Sequence, residues 1–472
     1  MTKINRNLQF TVLGKEKVEK IHQASLNLLE DFGMKVIGER TKEKLISMGV
    51  VFEGDIAKFP RLVVEKAIET APKSLTLYTR DGQPHMVIDN ENPVFFGTHA
   101  DQLEYLDYKD NKARPYLKED IKTMCTLADA MDSISFILSV GMCSDVNPEV
   151  QSQVTFLETV KNFSKTINFS TNDIDSLQEI IDMAADVAGG LENLQEKPFI
   201  FNYCEPIPPL THPIESTEKL YISAINKIPV VYMPYSMMGG TAPVTLAGAL
   251  AQNNAEILAG LVITQAINPG APFIYGSMPT VFDMQTTIGS YAAPEFHLAV
   301  AAASELASYY ELPFYGTAAC SDAKTIDPQS VAEVSMELFS TALSKANLVH
   351  DIGVMDHCNS VSPAMVILAC EIIDQLKNYN KGIEVNDKTL AMDVIKEVGF
   401  GGHYLEHPHT FKNFRSIWYP KLFGRKMENP DTSDLMDRVE NKIEQILSSH
   451  AVAPLSEVQL EALKKWEEKY KD

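Results

Sequence analysis

What most constrains the fold of this chain is a rhythm: eight short β-rich phrases, each followed by a longer stretch with helical periodicity. The phrases span 94–98, 134–141, 166–171, 198–203, 229–235, 272–277, 313–317 and 347–352. The helical stretches span 117–131, 147–163, 174–188, 216–226, 243–267, 294–310, 330–345 and 362–377. Strand and helix alternating at a repeat of about 30–45 residues is the pattern of a closed parallel α/β barrel, the (β/α)8 or TIM-type fold. Pro198, Pro229, Pro272 and Pro313 each open a phrase, where a missing N–H does least harm to a strand ladder. A doubly wound open sheet is the competing architecture.

Two extensions flank the repeat. Residues 1–90 read as a cap: apolar residues at helical spacing from Lys15 to Phe32 stop at Gly33, a second helix covers 42–48, a hairpin turning at Gly54 covers 51–59, and Pro60 opens a third helix. Residues 91–380 form the expected barrel, and 381–472 a charged helical extension with an amphipathic stretch at 435–447 and a terminal helix at 455–470. No Ser/Gly-rich linker separates these parts, so one compact unit is expected.

Composition excludes several partners. At 472 residues and 45% apolar, the chain can bury a large core. A formal net charge of −22 opposes a nucleic-acid backbone as ligand, because phosphate binding needs a concentrated basic surface. The start of the chain is polar and basic, and no run of about 20 apolar residues occurs, so a cytoplasmic protein without a membrane span is expected. Cys125, Cys143, Cys204, Cys320, Cys358 and Cys370 show no CxxC pairing and read as thiols of a reducing compartment. His403, His407 and His409 have ligand-like spacing in part, but Pro408 interrupts them and they lie outside the barrel. No metal site is expected there.

In such barrels the chemistry sits on loops at the carboxyl ends of the strands. Aromatics are frequent there: Phe96, Tyr203, Tyr232, Tyr235, Tyr275, Phe282 and Tyr315. A ring face presents negative charge to a cation, so several converging rings make a box for a quaternary ammonium. The competing reading is that they pack the barrel mouth. His99 and His350 stand at strand ends, suited to bind a carboxylate or to move a proton. Gly239, Gly240 and Thr241 form a tight turn that offers backbone amides, yet neither GxGxxG nor the lysine of a phosphate loop is present.

Five stretches carry a family resemblance: KVEKIHQASLNLLEDFG from Lys17, GGTAPVTLAGALAQNNAEILAGLVITQAINPGAP from Gly239, YGSMPTVFDM from Tyr275, SDAKTIDPQ from Ser321 and GGHYLEHPHT from Gly401. Together they resemble the trimethylamine methyltransferase superfamily along nearly the whole chain. The resemblance implies a (β/α)8 barrel, usually a homo-oligomer, that holds a methyl donor in its mouth while a separate corrinoid protein, carrying the cobalamin, docks over it. Trimethylamine-specific members carry pyrrolysine, which the resemblance places within 316–322; here that segment reads Gly-Thr-Ala-Ala-Cys-Ser-Asp. The donor class implied is therefore a quaternary ammonium of the glycine betaine, proline betaine or carnitine type, whose leaving group is already a neutral amine.

The expected site places the ammonium head among Phe96, Tyr235, Tyr275, Phe282 and Tyr315. His350, His99 and the turn at Gly240 and Thr241 are the expected donors to a substrate carboxylate, with Asp283, Glu295, Asp327 and Gln329 orienting them or attracting the cation. For these last four, helix capping is the competing reading. No catalytic acid, base or metal is required, since positioning and desolvation suffice for transfer to a strong nucleophile. Two other functions compete: a Schiff-base lyase using Lys324, and a quaternary-amine binding or sensing protein without chemistry.

Overall fold

The computed structural model describes residues 8–89, 94–98, 101–139, 141–425 and 434–470. Eight parallel strands close into a barrel in chain order: β1 (Phe95–Thr98), β2 (Ile134–Leu138), β3 (Thr166–Phe169), β4 (Ile200–Cys204), β5 (Val230–Tyr232), β6 (Phe273–Gly276), β7 (Phe314–Thr317) and β8 (Leu348–Ile352). All but β4, which runs one residue further, fall within the expected phrases. Closure comes from β8 pairing with β1, Leu348 opposite Phe95 and Val349 opposite Phe96. The prolines keep their carbonyls in the ladder: those of Pro229, Pro272 and Pro313 accept from Asn202, Val230 and Tyr275 on the preceding strands. A residue without an N–H thus serves at a strand start by its acceptor alone.

The outer layer is α1 (Lys118–Ala130), α2 (Gln151–Asn162), α3 (Ile174–Ala188), α4 (Ile214–Ile225), α5 (Leu246–Ile267), α6 (Pro294–Tyr309), α7 (Pro328–Leu343) and α8 (Pro363–Tyr379). Their starts follow local chemistry. Asp173 caps α3 by accepting from Ser176 N at 2.7 Å, and proline occupies the first turn of α6, α7 and α8. α5 carries apolar residues on every side and is long enough by composition to cross a bilayer, but it is mostly buried. The barrel lies on one side of it and the helices Gly14–Asn27, Glu39–Met48 and Arg61–Thr70 on the other. A helix apolar all round needs cover all round.

The two ends of the barrel differ. At the amino end a hairpin, Leu75–Tyr78 with Pro84–Ile88, lies across the strand starts. Tyr78 N donates to Pro198 O at 2.9 Å, Thr166 Oγ1 donates to Tyr78 O at 2.7 Å, and His85 Nε2 bonds Ser135 O at 2.8 Å. At the carboxyl end the loops grow two small sheets. One joins Tyr235–Met238, Met278–Asp283 and Ile288–Ser290; the other joins Glu104–Leu106, Ala113–Pro115, Val354–Met355 and Ser360–Val361. These sheets wall the mouth. The carboxyl-terminal helices Leu435–Ser449 and Glu457–Lys469 pack on α1 with α8 and on α3.

Candidate active site at the carboxyl mouth

β8 does not run straight. Its register with β1 slips between Val349 and Ile352, and Asp351 takes a φ of 77°. A non-glycine residue holds that left-handed backbone at a cost, and such positions gather at functional sites. The slip brings neighbouring side chains into one group: His350 Nε2 lies 3.4 Å from Asp351 Oδ1. His350 Nδ1 meets Gly316 O at 2.9 Å, and since a carbonyl only accepts, that nitrogen carries the hydrogen.

Asp351 is 1% exposed. Its Oδ2 accepts from the Thr317 hydroxyl, and its Oδ1 is buried without a hydrogen-bond partner. Burial pushes its carboxyl pKa up, against the pull of His350 and Thr317. A buried carboxylate oxygen lacking a donor is costly unless a positive group comes to it.

Tyrosine rings gather at His350, the neighbour of this carboxylate. The Tyr315 ring lies 4.8 Å from His350 and 6.2 Å from Tyr203, and Tyr203 lies 6.1 Å from His350. Phe136 and Phe201 pack on Tyr315, whose hydroxyl donates to Asn168 Oδ1 at 2.9 Å. A second pair, Tyr235 on Tyr291, stacks at 6.2 Å and 20°. Asp322 holds Tyr291 in place by accepting from its N–H at 2.9 Å. The hydroxyls of Tyr203, Tyr315 and Tyr291 are pushed up by burial first, and the Asp351 charge reaches all three.

Two more carboxylates line the mouth. Asp101 and Glu205 are open to solvent, yet protein crowds each so closely that desolvation raises both, Glu205 to about 7. A group both wet and enclosed lies on the wall of a concavity. Lys219 opposes the rise of both, and its Nζ donates to Thr171 O. Nearby, the thiols of Cys320 and Cys358 share a hydrogen bond, and Gln102 Nε2 donates to Cys358 Sγ at 3.5 Å. Asp356, His357 and Cys358 all take left-handed backbone, so strain concentrates on this rim.

Of the residues singled out in the sequence, the structure brings His350, Tyr203, Tyr315 and Tyr235 into this group. Phe282 stands on the neighbouring small sheet against Gly240. Phe96 is buried in β1 without a ring neighbour among the described residues, and His99 lies outside them. Tyr275 points away: its hydroxyl donates to Asn254 Oδ1 on α5 at 2.8 Å, and its ring packs on Tyr310 and Phe314. Gly240 and Thr241 do not present free amides. Gly240, Thr241 and Ala242 all donate to Met237 O, Gly239 donates to Ala242 O, and the Thr241 hydroxyl accepts from Met237 N at 2.9 Å.

The four expected supporting residues also stand elsewhere. Asp283 caps a turn through Gln285 N and the Thr286 hydroxyl, both at 2.8 Å. Glu295 is exposed in the first turn of α6, Asp327 caps α7 through Ser330 N at 3.0 Å, and exposed Gln329 bonds Glu333 at 2.8 Å. Lys324 is 80% exposed and 3.9 Å from Asp356 Oδ1, so it lacks the dry apolar pocket that a Schiff-base lysine uses. Sequence reasoning passed over Asp351, which strand alternation would set opposite His350, and Tyr291, which lies between a loop strand and α6, away from any barrel strand end. Among the described residues no group of three or more His, Cys, Asp or Glu is placed to hold a metal.

The family model described as trimethylamine methyltransferase (MTTB) matches residues 1–472. A trimethylamine methyltransferase MttB of Desulfitobacterium hafniense is 31% identical, over 94% of this chain and 90% of that protein. A glycine betaine methyltransferase of Desulfitobacterium hafniense (strain Y51) is 29% identical, over 96% and 95%. The solved Methanosarcina barkeri monomethylamine methyltransferase (MtmB) covers 98% of this chain and 92% of its own at 11% identity, with a TM-score of 0.48. With a family model matching from end to end on a closed parallel barrel, this chain belongs to the trimethylamine methyltransferase (MTTB) family and is a methyltransferase.

Proposed function

We propose that this enzyme demethylates a quaternary ammonium compound and delivers the methyl group to the reduced corrinoid of a separate protein. The observation that carries the reading is the buried Oδ1 of Asp351, without a hydrogen-bond partner and beside His350, on which Tyr203 and Tyr315 pack, with the Tyr235–Tyr291 pair within reach of its charge. Such a place favours a cation without N–H groups, because ring faces and a carboxylate attract charge without needing a hydrogen-bond donor in return. The standard residues at 316–322 support a quaternary over a tertiary amine, since no pyrrolysine is present to activate one.

The chain's own residues bind, orient and exclude water. With the head held by the rings and Asp351, one methyl is directed outward to the docked acceptor. The methyl–nitrogen bond breaks and its electron pair stays on nitrogen; the reduced corrinoid of the docked partner would supply the electron pair that takes up the methyl. What remains is a neutral tertiary amine, which loses its attraction to both rings and carboxylate and departs. No proton moves, so no acid or base is needed; positioning and desolvation lower the barrier.

The test is spectroscopic. Mixed with its cognate corrinoid protein in the reduced state, the enzyme should convert the cobalt spectrum to the methylated form when a suitable quaternary amine is added. Silence across a panel of such amines, with the cognate partner present, would sink the proposal.

A further inference from the structure

We infer that the preferred substrate is a quaternary ammonium whose tail carries no negative charge, an alkyl or alcohol cation rather than a zwitterionic betaine. This rests on the functional reading above and adds to it the chemistry of the tail.

A betaine needs donors for its carboxylate close to the place that holds its head. Of the donors expected for that task, those among the described residues are already engaged. His350 gives its Nδ1 hydrogen to Gly316 O at 2.9 Å, which leaves Nε2 as an acceptor. If His350 takes a proton there, the new N–H faces Asp351 Oδ1 at 3.4 Å and is shared with it. The amides of the Gly239 turn are all bonded within the turn.

The remaining charge in the mouth has the wrong sign for a carboxylate. No lysine or arginine acts on Asp351 among the described residues; beside it stand only the His350 imidazole and the Thr317 hydroxyl. Asp101 and Glu205 add negative charge on the wall, and Lys219, which answers both, has its Nζ on the Thr171 carbonyl. A simple cation gains from each of these carboxylates. A betaine whose ammonium approaches Asp351 brings its own carboxylate, a few atoms away, against the same acidic wall, where like charges repel.

Calorimetric titration of the full-length enzyme with tetramethylammonium and choline, against glycine betaine and carnitine, tests this. We expect the two cations to bind at least about tenfold more tightly. Asp351→Asn should weaken the cations by about tenfold or more while far-UV circular dichroism stays unchanged. Betaines binding as tightly as the cations, or cations binding Asp351→Asn as well as wild type, overturns the inference but leaves demethylation standing. Failure of both ligand classes to bind overturns this inference and the proposed function together. Should Asp351→Asn fail to fold, the wild-type panel alone decides.

Discussion

Two tyrosines at strand ends show how far a single residue's role depends on which way it faces. Tyr203 is half-buried beside His350, whereas Tyr275 is fully buried with its hydroxyl on Asn254 of α5. Tyr203→Leu should weaken binding of a quaternary cation by about 0.5–2 kcal/mol, the range of a desolvated cation–ring contact, with little change in thermal midpoint. Tyr275→Phe should do the reverse: about 1–3 kcal/mol of stability lost, because Asn254 Oδ1 loses its donor in a buried place, and unchanged affinity. Calorimetry beside urea denaturation separates the two outcomes. Glu205 supplies a pH signature. Burial lifts its pKa to about 7, with Lys219 opposing and Asp101 adding. A folded-state pKa above the ordinary 4.5 contributes stability that is complete below about pH 4.5 and is lost as pH rises toward 7. The charge useful to a cation appears only as that proton leaves. Cation affinity should therefore climb between about pH 6 and 8, and Glu205→Gln should flatten the climb; an unchanged profile in the variant would remove Glu205 from the wall. The sequence could not separate Tyr203 from Tyr275, since both close a strand and only packing decides which faces the mouth. Asp351 was less legible still. Period-two alternation sets it opposite His350, and only the slip in β8 brings both to one side.

At the scale of elements, the barrel strands were legible because each is short, apolar and bounded by proline or glycine, and because the repeat recurs many times over. The small sheets at the mouth were not. Strands such as Ile288–Ser290 and Val354–Met355 are two or three residues long and exist only because a loop from another strand end lies beside them. The long helix α5 shows the opposite balance, where local propensity and packing pull apart. Gly260 sits in its middle, and helix propensity alone would gain about 1 kcal/mol from alanine there. Yet a methyl at that position would come within 2.2 Å of the Tyr232 ring, which is locked by its 2.6 Å bond to His212 Nδ1. Overpacking of a ring that cannot yield costs about 1–3 kcal/mol, so the clash should win. Gly260→Ala is expected to lower the urea midpoint; a raised midpoint would mean that β5 and α5 can separate freely. The helix Gly14–Asn27 depends on α6 in a similar way. It has no side-chain cap of its own, and Glu305 accepts from Val12, Leu13 and Gly14 amides at 2.6, 3.1 and 2.9 Å. Glu305→Ala should cost about 1–2 kcal/mol, the loss of a cap together with a favourable charge at a helix start.

Across the whole molecule the two ends of the barrel have separate duties, and one residue tests that separation. The amino end is closed by the hairpin 75–88, while the mouth carries the carboxylates and rings. Arg80, at the turn of that hairpin and 5% exposed, donates to the carbonyls of Val160 and Phe163 at the end of α2 and to that of Ala453 in the carboxyl-terminal segment. One guanidinium thus ties together the two extensions and the barrel, a use for which its planar set of five donors is suited and a lysine is not. Arg80→Met keeps the length and apolar stem but leaves three carbonyls without their donor. At about 1–3 kcal/mol for each unsatisfied buried group, partly relieved by water, the loss should be roughly 2–5 kcal/mol. The damage should be local before it is global: limited proteolysis should cut near 450–456 under conditions where the wild-type chain resists, because freeing Ala453 releases the stretch between the last two helices. Affinity for a quaternary cation should stay within about twofold of wild type, since Arg80 reaches no group of the mouth. Protease resistance retained while ligand affinity collapses would show instead that the closed end and the mouth are mechanically one, and that strain in the β8 slip is held from below.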